Sequence, residues 1–433
     1  MTSHPESDSI GIGVLARFVG TVLLLSLVSF GSPSRSAAQT FKVIHTFTNG
    51  ADGGYPYAGL AIDGKGNLYG TANQGGNWNA TCPPMNEGCG TVFQLTPSKS
   101  GWDFQTIYAF QGGLDDGQGP YGRVTIGPDG GLYGTTIDGG NANCPSGCGM
   151  VFGLKEPTTC STAGCPWKEN ILYAFQGDTD GFYPIGDVTF DPSGNIYGTT
   201  TQGGVDGPGT IYELRPSNGK WTENILYNFT GQYPDGGNPY SGVILDKAGN
   251  IYSTTLAGGI NDGGIVSELT RSGSGWKENI LYAFQGSNAG IFPIAGLLLT
   301  ASGALVGGTE ADGANDGGTV YSLTPSNGKW NFAVLNGLAG IGGGCGPWAS
   351  LIMDAAGSLY GTTQGYPPAG DYGYVFKLSR AGNSWKETIL HRFSGGPDGS
   401  VPYSTLVFDS AGNLYGTTNL GGSGYGVVFE ITP

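Results

Sequence analysis

A five-residue motif, NLYGT, starts at Asn67 and returns as GLYGT, NIYGT, NIYST, SLYGT and NLYGT, with a degraded copy, ALVGG, at Ala304. Its third residue falls at Tyr69, Tyr133, Tyr197, Tyr252, Val306, Tyr360 and Tyr415, at spacings of 64, 64, 55, 54, 54 and 55. A supersecondary unit repeated at such a period cannot bury its apolar face alone and has to stack on its neighbours.

Each unit holds four strand-like runs. In the first these are PYAGLAID (56–63), NLYGTAN (67–73), GTVFQLT (90–96) and WDFQTIYAF (102–110), punctuated by Gly64-Lys65-Gly66, a Gly-rich loop and a Pro-Ser turn. Aromatic and β-branched residues fill the runs, and turn formers separate them. Asp63, Asp191, Asp246, Asp354 and Asp409, each with Gly three residues later, read as caps of tight hairpins. Periods of this length with four strands predict propeller blades. The expected fold is therefore all-β, a seven-bladed β-propeller with four antiparallel strands per blade. The last unit stops one strand short, at GVVFEIT (426–432), while FKVIHTF (41–47) is an unattached copy of the fourth strand. Pairing the two closes the ring and limits exposed strand edges.

The units resemble the GloVer tandem repeat of exported bacterial proteins, with its pattern F-x-G-x-x-D-G-x-x-P-Y, then G-x-L-Y-G-T-T-x-x-G-G, then G-T-V-F-x-L. FQGDTDGFYPIGDVTFDPSGNIYGTTTQGG (175–204) carries it most fully, and six further copies cover nearly all of residues 39–433. The resemblance implies an exported repeat protein and is nearly silent about activity. The Gly-Gly pairs resemble kelch propellers more weakly, with the same architectural implication.

Composition sets the address. The chain carries 83 glycines in 433 residues, against a usual share of about 7%. They lack the three-residue period of collagen, and 12% aromatics with clear periodicity argue against disorder. A formal charge of −15 excludes phosphate-directed nucleic-acid binding, which needs a basic face. Arg17, the apolar run Phe18–Phe30 and Ser36-Ala37-Ala38 have the layout of a secretory signal peptide over residues 1–38. The apolar run is short for a bilayer span of about 20 residues, and no second such run follows. The expected mature protein is exported, periplasmic or extracellular, without a membrane span.

Six cysteines fall in the segments that lengthen the first two units. Cys82 with Cys89, Cys144 with Cys148, and Cys160 with Cys165 are sequence-local pairs, suited to disulfides in an oxidising compartment, although six cysteines allow 15 pairings. Cys345 is left over, as a free thiol or an intermolecular link.

The catalytic inventory is thin. Beyond residue 38 the histidines are His45 and His391, at the outermost-strand position held elsewhere by Tyr108, Tyr173, Tyr227 and Tyr282, so they read as tyrosine substitutes. Gly117–Gly122 fits G-x-G-x-x-G but contains Pro120 and enters a strand, the wrong context for a dinucleotide site. No cofactor or metal is expected. Asp178, Asp180 and Gly181, like Asp115-Asp116, resemble fragments of calcium loops without the closing Glu. The tryptophans Trp102, Trp167, Trp221, Trp276, Trp330 and Trp385 begin outermost strands and read as blade packing, whereas Trp78 lies outside the repeat.

Two constellations stand out, both at the channel face of a propeller. After the Pro that opens each innermost strand come Tyr57, Tyr121, Ile185, Tyr240, Ile294, Trp348 and Tyr403. Just upstream lie Asp52, Asp116, Asp180, Asp235 and Asp398 in D-G loops. Aromatics with acidic acceptors suit sugar rings and their hydroxyls; the competing reading is inter-blade wedges and turn caps. Third after each Pro come Gly59, Arg123, Asp187, Gly242, Gly296, Ser350 and Thr405. Arg123 and Asp187 alone are charged there, as a structural ion pair or as a polar ligand anchor. These observations lead to a binding or interaction module for a glycan or protein partner, with the enzyme question leaning to no. The alternatives are a propeller lyase or hydrolase using Asp116, Asp180, Asp187 and Arg123, and a purely structural envelope protein.

Overall fold

A computed structural model describes residues 39–432 apart from 79–81, 83–86, 159–164 and 341–344. Seven antiparallel blades follow one another in chain order, each built on four strands, and in blade 2 the segment Gly117–Pro120 pairs with Leu132–Gly139 as a fifth. Blade 1 consists of Ala61–Ile62, Leu68–Ala72, Thr91–Ser98 and Gly101–Ala109. The outermost strand of blade 7 is the first in the chain: Thr40–Thr46 pairs with Val427–Thr432, from Thr40 against Thr432 to Thr46 against Val427. The expected ring closure is therefore present.

The innermost strands are shorter than the sequence pattern predicts. In blade 1 the ladder takes up Ala61 and Ile62 alone, and residues 56–60 continue inward without strand pairing. Two large side chains hold that segment off the second strand. A Cβ at Gly70 would lie 2.5 Å from the Phe93 ring and 2.8 Å from Leu60 Cδ2, so glycine here makes room for both. Gly134, Gly198, Gly307, Gly361 and Gly416 lie in the same way under Phe152, Tyr212, Tyr321, Phe376 and Phe429. Blade 4 exchanges both partners, with Ser253 hydrogen-bonded to Ser267 at 3.0 Å.

The rest of the motif is equally specific. Its leucine or isoleucine is buried in all seven blades. Its tyrosine hydroxyl donates to the aspartate of the preceding turn: Tyr69 to Asp63 at 3.1 Å, Tyr252 to Asp246 at 3.2 Å and Tyr415 to Asp409 at 3.0 Å. Asp63 also accepts the backbone N–H groups of Lys65 and Asn67. Burial opposes ionisation of Asp63, but the bonds from Asn67, Lys65 and Tyr69 outweigh it and hold the carboxyl below its ordinary range. The turn aspartates are thus structural. Blade 5 lacks acceptor and donor together, having Thr300 and Val306 in their places.

The threonine ties each blade to the next. Thr71 Oγ1 donates to the Gly122 carbonyl at 3.1 Å, Thr135 to Gly186 at 3.2 Å, Thr199 to Ser241 at 2.8 Å and Thr254 to Ala295 at 3.1 Å. Thr362 reaches Ser404, and Thr417 reaches Ala58 across the closure. Blade 5 has Gly308 instead, where a Cβ would lie 2.9 Å from Pro347. Apolar clusters likewise lie between blades. Phe110 and Val92 of blade 1 pack with Leu132 and Phe152 of blade 2, and Phe47 and Val428 of blade 7 with Leu60 and Phe93 of blade 1. A core distributed over the interfaces leaves the axis unfilled.

Cys82–Cys89 and Cys144–Cys148 are disulfides, and Cys165 is disulfide-bonded as well. Cys160 lies outside the described residues. Cys345 is buried, so an intermolecular link through it, one of the two expected roles, has no exposed sulfur to form on. Among the described residues, no helix is long and apolar enough to cross a membrane.

Candidate binding site at the central channel

The first and third residues beyond each Pro border the axis. All fourteen residues at those two positions line one cavity of about 310 Å³ at the axis. The upper layer holds Tyr57, Tyr121, Ile185, Tyr240, Ile294, Trp348 and Tyr403, and the next holds Gly59, Arg123, Asp187, Gly242, Gly296, Ser350 and Thr405. Close approach of the segments favours small residues in the second layer. A Cβ at Gly59 would lie 2.1 Å from the Thr405 carbonyl oxygen, and one at Gly242 the same distance from that of Asp187.

The aromatic rings pack on one another. Tyr57 stacks on Tyr121 at 4.4 Å between centroids and on Tyr403 at 5.6 Å. Tyr403 meets Trp348 at 4.8 Å, tilted by 47°. Blades 2, 1, 7 and 6 thus contribute one continuous aromatic arc. This arrangement changes the expected mode of use, because Tyr57 and Tyr403 are covered by their neighbours. The outer flanks of Tyr121 and Trp348, together with the tyrosine hydroxyls, remain for a ligand. Burial raises the Tyr57 and Tyr121 phenols, and pushes Tyr403 up to about 12, so all three are neutral donors at ordinary pH.

Two polar residues that sequence reasoning missed flank the arc. Glu310 and Asn419 stand at equivalent positions, just after the threonine pair of the repeat or its counterpart. Asn419, itself buried, lies beside the Tyr57 hydroxyl. The Glu310 carboxyl is raised by burial and lowered in part by the Trp348 indole beside it. The available signal was the variation at this position, from Ile137 and Leu256 to Glu310, within an otherwise regular repeat.

The D-G aspartates do not join the arc, and none of the five lines the cavity. Asp116 accepts from the backbone of Gln111 and Gly117, each at 2.6 Å, and from the Tyr108 hydroxyl at 3.1 Å. Asp180 takes Tyr173 at 2.8 Å and the Gln176 N–H, while Asp235 takes Thr230 and the Gly236 N–H. Asp52 and Asp398 bind His45 at 3.2 Å and His391 at 3.1 Å, besides the backbone of Thr48 and Ser394. The histidines accordingly stand in for tyrosine. They stack on Phe104 and Phe41 of the adjoining blades, and burial lowers both imidazoles despite the opposing aspartates.

The tyrosines of these turns also face half-buried glutamates on the next blade. Tyr108 donates to Glu169 at 2.8 Å and Tyr227 to Glu278 at 2.9 Å. Burial, then the neighbouring Asp116, push Glu169 up to about 8. Glu223 and Glu278 rise to about 7, from burial and then from Asp180 and Asp235 respectively. Among the described residues, no three metal-ligating side chains converge. The Asp178 and Asp180 loop is committed to capping its own turn through Asp180.

Arg123 and Asp187 do meet. Asp187 accepts the Arg123 backbone N–H at 2.7 Å through Oδ1 and the guanidinium Nε–H at 3.1 Å through Oδ2. The expected ion pair is present, half-exposed, in the wall of the cavity.

The profile of the Gloeobacter/Verrucomicrobia repeat matches residues 33–189, 145–343 and 295–433. The chain belongs to this repeat family. Gloeobacter/Verrucomicrobia repeats therefore account for all seven blades, as the sequence resemblance implied. No curated protein matches the chain. A Dyadobacter fermentans protein of unknown function is similar in structure at 13% identity and TM-score 0.45, covering 80% of this chain and 96% of its own. A Lactobacillus plantarum protein is similar at 13% identity and TM-score 0.48, covering 76% and 84%. Likeness at this level says nothing about ligands.

Proposed function

We propose that the protein is an exported binding module whose ligand is a glycan held at the mouth of the central channel. The observation that carries this reading is the open cavity beneath an aromatic arc. The hydroxyls of Tyr121, Tyr240 and Tyr403 face no hydrogen-bond partner among the described residues. Amphipathic aromatic edges with unengaged hydroxyls suit a hydroxyl-rich, weakly hydrophobic ligand. Export is supported by the signal-like N-terminus and by disulfides suited to an oxidising compartment.

The enzyme alternative is less favoured. Asp116 and Asp180 are tied into turns and Asp187 is paired with Arg123, so none of these three is free to act in the carboxylate pair that hydrolysis employs. The test is saturable binding to a panel of polysaccharides by the wild-type protein and by Trp348→Ala with Tyr403→Ala. Binding lost in the folded double variant supports the channel mouth. Binding that survives, or no binding at all, overturns it.

A further inference from the structure

We propose that Arg123 anchors a carboxylate on the ligand, so that the channel favours acidic saccharides, those built from uronic acid residues. This inference rests on the binding reading above and adds a selectivity that the aromatic arc alone does not supply.

The geometry of the ion pair carries the argument. Arginine and a carboxylate commonly form two parallel bonds that use up the planar fork. Here Asp187 uses one oxygen on the Arg123 backbone and the other on Nε, and the two Nη groups bond nothing else among the described residues. Asp187 therefore orients the side chain and leaves the forked end open. Arg123 lies on the same face of its segment as Tyr121, one layer deeper, and is the single cationic residue lining the cavity.

A planar carboxylate matches that fork bidentately, which a point charge such as lysine does not reproduce. Asp187 already balances the charge of Arg123, so the gain comes from directed hydrogen bonds more than from net potential. The preference is accordingly modest, about tenfold, equal to about 1.4 kcal/mol.

The test is calorimetric titration of the purified protein with oligogalacturonate, oligoguluronate and oligoglucuronate, each beside its carboxyl-reduced neutral counterpart. The expected result is about tenfold tighter binding of at least one acidic form over its counterpart. Arg123→Gln removes the difference between each acidic form and its neutral counterpart, and Asp187→Asn keeps the acidic preference because the fork survives. Thermal unfolding of both variants separates a binding effect from misfolding, and Asp187→Asn supplies the answer should Arg123→Gln not fold. Equal affinity for acidic and neutral forms, abolished by Trp348→Ala, overturns the carboxylate anchor and leaves the glycan reading standing. No binding of any acidic oligomer overturns the anchor as well, and the neutral panel then decides the wider reading.

Discussion

Thr417 Oγ1 donates to the Ala58 carbonyl at 2.8 Å, joining residues 359 positions apart at the point where the ring meets itself. The bond is buried, and the same bond recurs between successive blades except where Gly308 replaces threonine. Closure thus uses the blade-to-blade tie of the repeat in addition to the shared outer strand.

Replacing Thr417 by Val keeps the shape of the side chain and strands the Ala58 carbonyl. The expected cost is about 1–2 kcal/mol, read as a lower urea midpoint with an unchanged m-value. An m-value that falls would show that the ring opens.

Blade 5 offers a test of the tyrosine–aspartate pair by restoration. Val306→Tyr alone introduces a hydroxyl without its acceptor and is expected to destabilise. Thr300→Asp alone can still accept the Ala304 N–H that Thr300 now caps at 3.0 Å. The double variant is expected to show a favourable coupling of about 1 kcal/mol in a denaturation cycle. Additivity within error would show that the pair contributes nothing.

The half-buried glutamates make stability depend on pH in a direction that can be worked out. Glu169 titrates near 8 in the folded chain and near 4.3 unfolded. Between those values the unfolded chain has lost the proton and the folded one keeps it, so stability falls as pH rises through that window. Glu169→Gln is expected to remove this slope, gaining on the wild type by at least about 1 kcal/mol from pH 5 to pH 8. His45 and His391 act oppositely, since a lowered folded pKa costs stability as pH falls below about 6.5. Comparing melting curves of Glu169→Gln and wild type across that range isolates the glutamate; parallel curves would show that it ionises normally.

The two local disulfides close short loops. In the chain-entropy model, Cys144–Cys148 and Cys82–Cys89 contribute about 2 and 2.5 kcal/mol. Cys144→Ser with Cys148→Ser is expected to unfold at a correspondingly lower denaturant concentration, and reductant should then have a smaller effect on it than on wild type.

What the sequence made legible was set by register. A constant aromatic ruler yields the blade count and the shared final strand. Counting from each Pro finds fourteen of the residues that line the channel. The Arg123–Asp187 pair follows from the same count, since facing positions on neighbouring blades must be close. Side-chain partners across blades were not legible. The glycine of the motif looks like a turn former until Phe93 and Leu60 are seen lying over it, and the threonine looks like a strand former until its bond to the next blade is known. The D-G aspartates have the composition of a ligand ring, yet Tyr108, Tyr173, His45 and His391 claim them locally. Stacking within the arc depends on the tilt of seven blades, which one unit alone does not determine.

The arrangement of the closing blade has a consequence for how the chain is made. Thr40–Thr46 is made before every other strand of the ring and Val427–Thr432 after them, so the outermost strand of the final blade must wait for its partner until the other blades have been made. Until then the leading segment is an unmatched edge and the trailing blades have no seal. A product that ends before Val427 therefore leaves Thr40–Thr46 without its strand partner and the ring without this seal.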